Sequence, residues 1–314
     1  MGYQPLDFRR IKTVPLASRE SKVDIEHFAQ VGRPGESFSR FLQRLPRILA
    51  AEDLNRVVAA VLAACKRKKP VIWGLGAHVI KCGLSPLIIQ LMEQGAVTAV
   101  AMNGAGAIHD VEIALAGKTS EDVAAGLEEG LFGTAEETGR FISEAVAGGQ
   151  EGNGMGKALG QRLVQIEAPY RHLSILARGA ELEIPITVHV AIGTDITHIH
   201  PTAQGEPLGA ASFYDFRLLA GIVAHLGQGG VYLNVGSAVL LPEVFLKALS
   251  AARNLGHRVS HFSTVNMDMI QHYRPRENVV RRPTQGSGHG YAITGHHEIM
   301  IPLLAQAILE ELSS

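Results

Sequence analysis

The chain is poor in aromatic residues (5%), has a single tryptophan, Trp73, and only two cysteines, Cys65 and Cys82. Two cysteines cannot build a disulfide framework, and their separation is not that of a zinc ligand pair. Lysine and arginine (29) almost cancel aspartate and glutamate (30), for a formal net charge of −1. Without a basic excess, neither a nucleic acid nor a membrane surface is expected as a partner. The one basic run, Lys66–Lys69, reads as a solvated helix C-terminus, where cations suit the dipole. No uncharged apolar stretch reaches the roughly 18 residues needed to cross a bilayer. The N-terminal stretch MGYQPLDFRRIKTVP has no apolar signal-peptide core, so a cytoplasmic protein is expected.

Glycine, by contrast, is plentiful at 34 residues, and ten of the 14 histidines follow residue 188. The glycines close apolar runs. Val71–Leu84 reads VIWGLGAHVIKCGL and Val97–Glu112 reads VTAVAMNGAGAIHDVE; each is a short strand, a glycine turn and a helix start. Strand candidates are Val71–Trp73, Val97–Met102, Ile184–Val190, Val231–Val235 and Val259–Val265. They are mostly apolar on both faces, as buried parallel strands are. Helical patterns alternate with them at Gly83–Gln94, Asp110–Ala116, Ser120–Glu129, Ala135–Ala147, Ser212–Leu226 and Pro242–Leu255, with a closing helix at Ile301–Leu312. Such alternation predicts a Rossmann-like, doubly wound α/β fold, its mostly parallel sheet covered by helices on both faces. Residues 1–20 read as irregular and Val23–Arg67 as largely helical. Residues 1–66 are thus expected to form an N-terminal helical extension and 67–314 the main domain. Gly148–Gly160 is glycine-rich but follows a helix, not a strand, so it fails the context test for a dinucleotide fingerprint. It reads as a loop that opens a helix.

In an open α/β sheet, ligands bind at the carboxyl ends of the strands. Gly74, Gly76, His78 and Lys81 follow the first strand, and Asn103, Gly104, Gly106, His109 and Asp110 the second. Asp110 reads equally well as a helix N-cap. After the third strand, IGTDITHIH supplies Asp195, where a carboxylate can accept from ribose hydroxyls. His198 and His200 stand two apart, on one side of the chain if it is extended; an HxH pair of this kind can bind metal. NVGS adds Gly236 and Ser237. The polar stretch Asn266–Glu298 holds Asp268, His272, Arg274, Arg276, Arg281, Arg282, His289, His296, His297 and Glu298. It reads as a functional loop, its arginines suited to a carboxylate or phosphate.

The five motifs LGAHVIKCG, MNGAGAIHDVE, IGTDITHIH, NVGSA and GYAITGHHEIMIPLL, in that order over residues 65–312, resemble the deoxyhypusine synthase superfamily and its bacterial deoxyhypusine synthase-like branch. The resemblance implies an NAD-binding Rossmann-like domain and a homotetramer with active sites at the interface of tight dimers. It places NAD contacts at Gly76–Gly83, Asn103–Gly106, Asp195, Gly236 and Gly295–His297. The family's lysine lies in a Trp-Gly-Lys motif that is absent here; the matching region has Arg281 and Arg282. Leu241 stands where the family has a histidine. A guanidinium stays protonated and cannot form an imine, so the chain is not expected to be a true deoxyhypusine synthase.

The expectation is an NAD-dependent enzyme that acts on a small amine or amino acid by dehydrogenation, deamination or alkyl transfer. His198, His296 and His297 are the candidate bases, and Lys81 is a candidate nucleophile. Ornithine cyclodeaminase-like enzymes offer a fold-level analogy. The alternatives are a metal-dependent hydrolase built on His198, His200, His289, His296, His297 and Glu298, and a non-catalytic NAD-binding protein.

Overall fold

The computed structural model describes residues 2–149 and 152–312. Six strands form one sheet: β1 (Val71–Leu75), β2 (Ala99–Asn103), β3 (Ile186–His189), β4 (Val231–Val235), β5 (Ser263–Asp268) and β6 (His289–Thr294). All neighbours run parallel, in the order β3-β2-β1-β4-β5-β6. The order reverses between β1 and β4, so the switch point of a Rossmann-type sheet lies there.

The helices are α1 (Phe38–Gln43), α2 (Leu49–Lys66), α3 (Ala77–Lys81), α4 (Ser85–Glu93), α5 (Gly104–Ala116), α6 (Val123–Glu128), α7 (Glu136–Ala147), α8 (Met155–Gln165), α9 (Ile175–Glu181), α10 (Gly205–Val223), α11 (Leu240–Asn254), α12 (Tyr273–Pro275) and α13 (His297–Leu312). Alternation along β1 divides the core. Val71, Trp73 and Leu75 join α2, α4, α5 and α13 on one face of the sheet, while Ile72 joins α10 and α11 on the other. In α2, Leu54, Val57, Val58, Val61 and Ala64 are buried. That three- and four-residue spacing makes a single apolar stripe. The helix therefore belongs to the body of the fold, and the part that stands off is shorter than expected: no side chain is buried in residues 2–36.

Several elements depart from the sequence reading: α10 begins at Gly205 rather than Ser212, α3, α8 and α9 are additional helices, and β6, β5 and α5 differ as follows. His289–Thr294, taken as loop, is the edge strand β6; only Ile293 is buried in it, so it lacks the apolar signature of its neighbours. The fifth strand runs Ser263–Asp268, later than Val259–Val265. α5 begins at Gly104, because the Asn103 side chain accepts from the Gly106 amide and caps the helix there. In the glycine-rich stretch, Gln150 and Glu151 lie outside the described residues, and helix begins at Met155. No helix among the described residues is long and apolar enough to cross a membrane.

Candidate active site

A cavity of about 260 Å³ opens beside the carboxyl ends of β2 and β3. Lys81, the last residue of α3, lines it, as do Ala105, His109 and Glu112 from α5, and Thr194 and Asp195 from the segment after β3. Its outer wall is the connection from α5 to α7, which contributes Ser120, Glu121, Val123 and Phe132. Lys81, His109 and Asp195, expected from sequence, are thus brought together.

The α5 helix sets the chemistry of one wall. His109 and Glu112 are three residues apart and share a face. His109 Nδ1 lies 2.6 Å from Thr119 Oγ1 and 3.8 Å from Glu112 Oε2. Thr119 and Thr138 both donate to the Glu112 carboxylate. Burial pushes the Glu112 carboxyl up, but the nearby His109 and the hydrogen bonds from Thr119 and Thr138 outweigh it and hold the group below its ordinary value. The wall therefore carries a fixed anion.

Asp195 forms the opposite wall. Burial raises its pKa, opposed by His198 and by the Ala105 amide. Its Oδ2 is buried without a hydrogen-bond partner and lies 3.8 Å from His198 Nε2, which is also unpartnered. His198 Nδ1 accepts from the amides of Gly193 (3.1 Å) and Asp195 (3.3 Å), which fixes its ring. A Cβ at Gly104 would lie 2.5 Å from the Asp195 carboxyl carbon. Glycine at that position is what lets the carboxylate sit over the start of α5.

Gly76 and Gly236 meet at the switch point. Gly76 N–H donates to Val235 O at 2.8 Å, and a Cβ at Gly76 would lie 2.5 Å from the Gly236 carbonyl carbon. Gly236 has φ +70 and faces the His297 ring. His297 is buried; its Nε2 lies 3.3 Å from Met267 O and 3.9 Å from Asp268 Oδ1, and its Nδ1 has no partner. Asp268 accepts from the Met269 amide at 2.8 Å. Ser237 Oγ accepts from the Leu241 amide at 3.2 Å. Gly295 packs against Met300. His78 is exposed on α3, its ring 5.6 Å from that of His297.

Other expected residues are placed elsewhere. Gly74 is inside β1, and its missing side chain makes room for Tyr232 Oη, 2.5 Å from where a Cβ would be. Asp110 faces away from the cavity and is fully buried, accepting from Ser174 Oγ and from the amides of Ile175 (2.8 Å) and Leu176 (3.1 Å). It caps the start of α9, and burial raises its pKa to about 6 against those hydrogen bonds. His198 and His200 do not face one side, because Ile196–Ile199 coils into a 3-10 turn. His200 packs on Gly139, with Nε2 3.4 Å from Glu136 Oε2. His289 starts β6 opposite Ser263, at the amino edge of the sheet and remote from the strand ends. His272, Arg274, Arg281 and His296 are exposed, Arg274 beside Glu243 and Arg281 paired with Glu277.

Glu112 and Glu121 were missed. The three-residue spacing of His109 and Glu112 is the signal the sequence offers, although the helix expected there starts only at Asp110. For Glu121, whose Oε1 accepts from the Gly133 amide at 3.0 Å, the sequence offered none.

Fold and site together define an open parallel α/β protein with a charged cavity at its strand ends. No family model and no curated protein matches the chain. Solved structures do. A conserved protein described as LOR/SDH from Methanococcus maripaludis is 15% identical, with TM-score 0.55 over 85% of this chain and 71% of its own. AgrE, in a ternary complex with ornithine and NAD+, is 16% identical with TM-score 0.52, covering 86% of this chain, which spans only 35% of AgrE. A protein described as a deoxyhypusine synthase, from Entamoeba histolytica, is 10% identical with TM-score 0.50 over 88% of this chain and 94% of its own. The chain shares its parallel α/β fold with these three structures.

Proposed function

We propose that the protein is an NAD-dependent enzyme that acts on a small amine or amino acid, bound in the cavity between α5 and Asp195. The observation that carries this reading is the cavity lining: two glutamates and an aspartate face one lysine and one histidine in about 260 Å³. That volume suits a molecule of amino-acid size. Glu112 and Glu121 pair with the substrate ammonium, and Lys81 with its carboxylate. His109, held by Thr119, is positioned to take the proton released from the amine.

The residues fit the ribose end of NAD. The unpartnered, buried Asp195 Oδ2 is an acceptor for a ribose hydroxyl, and the Gly76 and Gly236 turns give backbone access at the switch point. When bound, NAD would accept hydride from the carbon that bears the amine. The fixed anion at Glu112 favours the positive charge that develops on that carbon and nitrogen. The hydrolase alternative finds no support in the placement of His198, His200, His289 and His297, which do not converge.

Four exposed apolar residues follow strand ends: Ile192 (69% exposed), Val239 (52%), Ile270 (58%) and Ile299 (63%). They support a homo-oligomer that packs through this side, in keeping with the tetramer implied by the resemblance.

The test is titration of nucleotide-stripped protein with NAD, followed by calorimetry and by the fluorescence of Trp73, the only tryptophan. Saturable binding that disappears in Asp195→Ala supports the reading. Absence of calorimetric heat refutes it, and binding with no turnover on any amine or amino acid leaves the non-catalytic alternative.

A further inference from the structure

A second cluster joins α3 and the residue after it to α13, through groups not used above. His78 and Cys82 are one helical turn apart, with Nε2 and Sγ 3.3 Å from each other. Glu298, from the first turn of α13, brings Oε2 to 4.0 Å from the same Sγ. One donor atom from each residue lies within 4.8 Å of both others, and this is the one such group of three found among the described residues.

We propose that His78 Nε2, Cys82 Sγ and Glu298 Oε2 bind a divalent transition-metal ion of the zinc class. Zinc bonds of about 2.3 Å to sulfur and 2.0–2.1 Å to nitrogen or oxygen, set tetrahedrally, put the ligand atoms roughly 3.5 Å apart. The observed 3.3 and 4.0 Å bracket that spacing for the two contacts of the thiol, and the third pair, His78 with Glu298, lies within 4.8 Å. Helix geometry explains why His78 and Cys82 are near each other, but not why Glu298 is there. A thiol 4.0 Å from a carboxylate makes a marginal hydrogen bond, and the two groups have little attraction for each other without a cation between them. The donor set points to the ion: thiolate and imidazole select zinc-like metals over magnesium or calcium.

His296 Nδ1 lies 3.8 Å from Glu298 Oε1, beyond hydrogen-bond distance, and Oε2 is the oxygen that approaches the thiol. His78 and Glu298 are exposed, so the fourth tetrahedral position opens to solvent and takes a water. Three protein ligands and a water make an open site, unlike the closed four-ligand type used only for structure. The ion ties the end of β1, through α3, to the end of β6, through α13. It also stands on the helix whose last residue, Lys81, lines the amine cavity.

The experiment uses chelator-stripped full-length protein titrated with Co²⁺ as a spectroscopic probe, then challenged with Zn²⁺. One equivalent per chain is expected, with thiolate-to-cobalt charge-transfer absorption and tetrahedral visible bands that Zn²⁺ bleaches. Cys82→Ser abolishes the charge-transfer band, while Cys65→Ser leaves it unchanged. Exposed Glu298→Gln retains the fold and weakens Co²⁺ binding about 10-fold or more. The proposal is overturned if Co²⁺ gives no charge-transfer band, if the band survives Cys82→Ser, or if Glu298→Gln binds as tightly as wild type. The titration contains no nucleotide, so failure of the NAD reading leaves this result untouched.

Discussion

Replacing Gly76 with alanine tests whether the switch point is as tightly built as described. The added Cβ would lie 2.5 Å from the Gly236 carbonyl carbon, closer to its oxygen, and 3.1 Å from the Ser237 nitrogen. All of these are backbone atoms, so no side chain can swing away. Ordinary carbon contacts are about 3.5 Å, and the two turns must part by about 1 Å. The Gly76 N–H to Val235 O bond, 2.8 Å long, would then pass out of hydrogen-bonding range. Losing it costs about 1 kcal/mol, and overpacking adds about 1–3 kcal/mol. A total near 2–4 kcal/mol lowers the melting temperature by roughly 4–16 °C. The same displacement moves α3, and with it Lys81, so catalysis should fall about 100-fold. Gly209→Ala is the matched control. Gly209 lies in α10 with nothing within 4 Å of a new Cβ, and alanine there should stabilise by about 0.5–1 kcal/mol. Calorimetric melting of the two variants gives opposite signs if the geometry is right. A Gly76→Ala protein that melts within a degree or two of wild type would refute the reasoning.

Three further outcomes are expected. Burial raises the Asp215 carboxyl to about 7, against amide hydrogen bonds from Val188, Gly156 and Met155. A raised folded pKa means that stability present below about pH 4 is lost as pH rises toward 7, by up to about 4 kcal/mol; urea unfolding across that window should show the fall in wild type and a clearly smaller one in Asp215→Asn, where Asp110, raised to about 6, still titrates. Asp110→Ala strips the acceptor from Ser174 and two α9 amides, and denaturant titration should show a loss of about 3 kcal/mol or more. Ile270→Glu puts charge among the apolar strand-end residues, and sedimentation should show a smaller species than wild type; a wild type that sediments as a monomer ends the oligomer reading.

The sequence made the central strands legible because β1 and β4 are buried on both faces and so read as largely apolar runs that meet glycine. It concealed β6 because an edge strand with one buried residue has no such run. In the site, Lys81, His109 and Asp195 were readable as polar residues just past strand ends. Asp110 was misleading because neighbours in sequence lie about 100° apart on a helix: His109 faces the cavity while Asp110 turns into the core. The histidines after residue 188 look like one cluster on paper. A parallel edge strand obliges the chain to return to the amino edge of the sheet, which carries His289 away from His296 and His297. The meeting of Cys82 with Glu298 depends on the order in which strands are laid side by side, and local patterns hold no record of that.

The long connection from β2 to β3, residues 104–185, bears on how the chain folds. β3 pairs only with β2, and β2 ends before α5, α7, α8 and α9 have been traversed. Closing so large a loop before its helices have packed would cost entropy without return. The helices must gather first, and Asp215 on α10 then captures Val188 of β3 and Gly156 of α8 through one carboxylate oxygen. The outer edge of the sheet, which supplies Asp195 to the cavity, therefore forms after those helices have packed, and the site is completed only once β3 is in place.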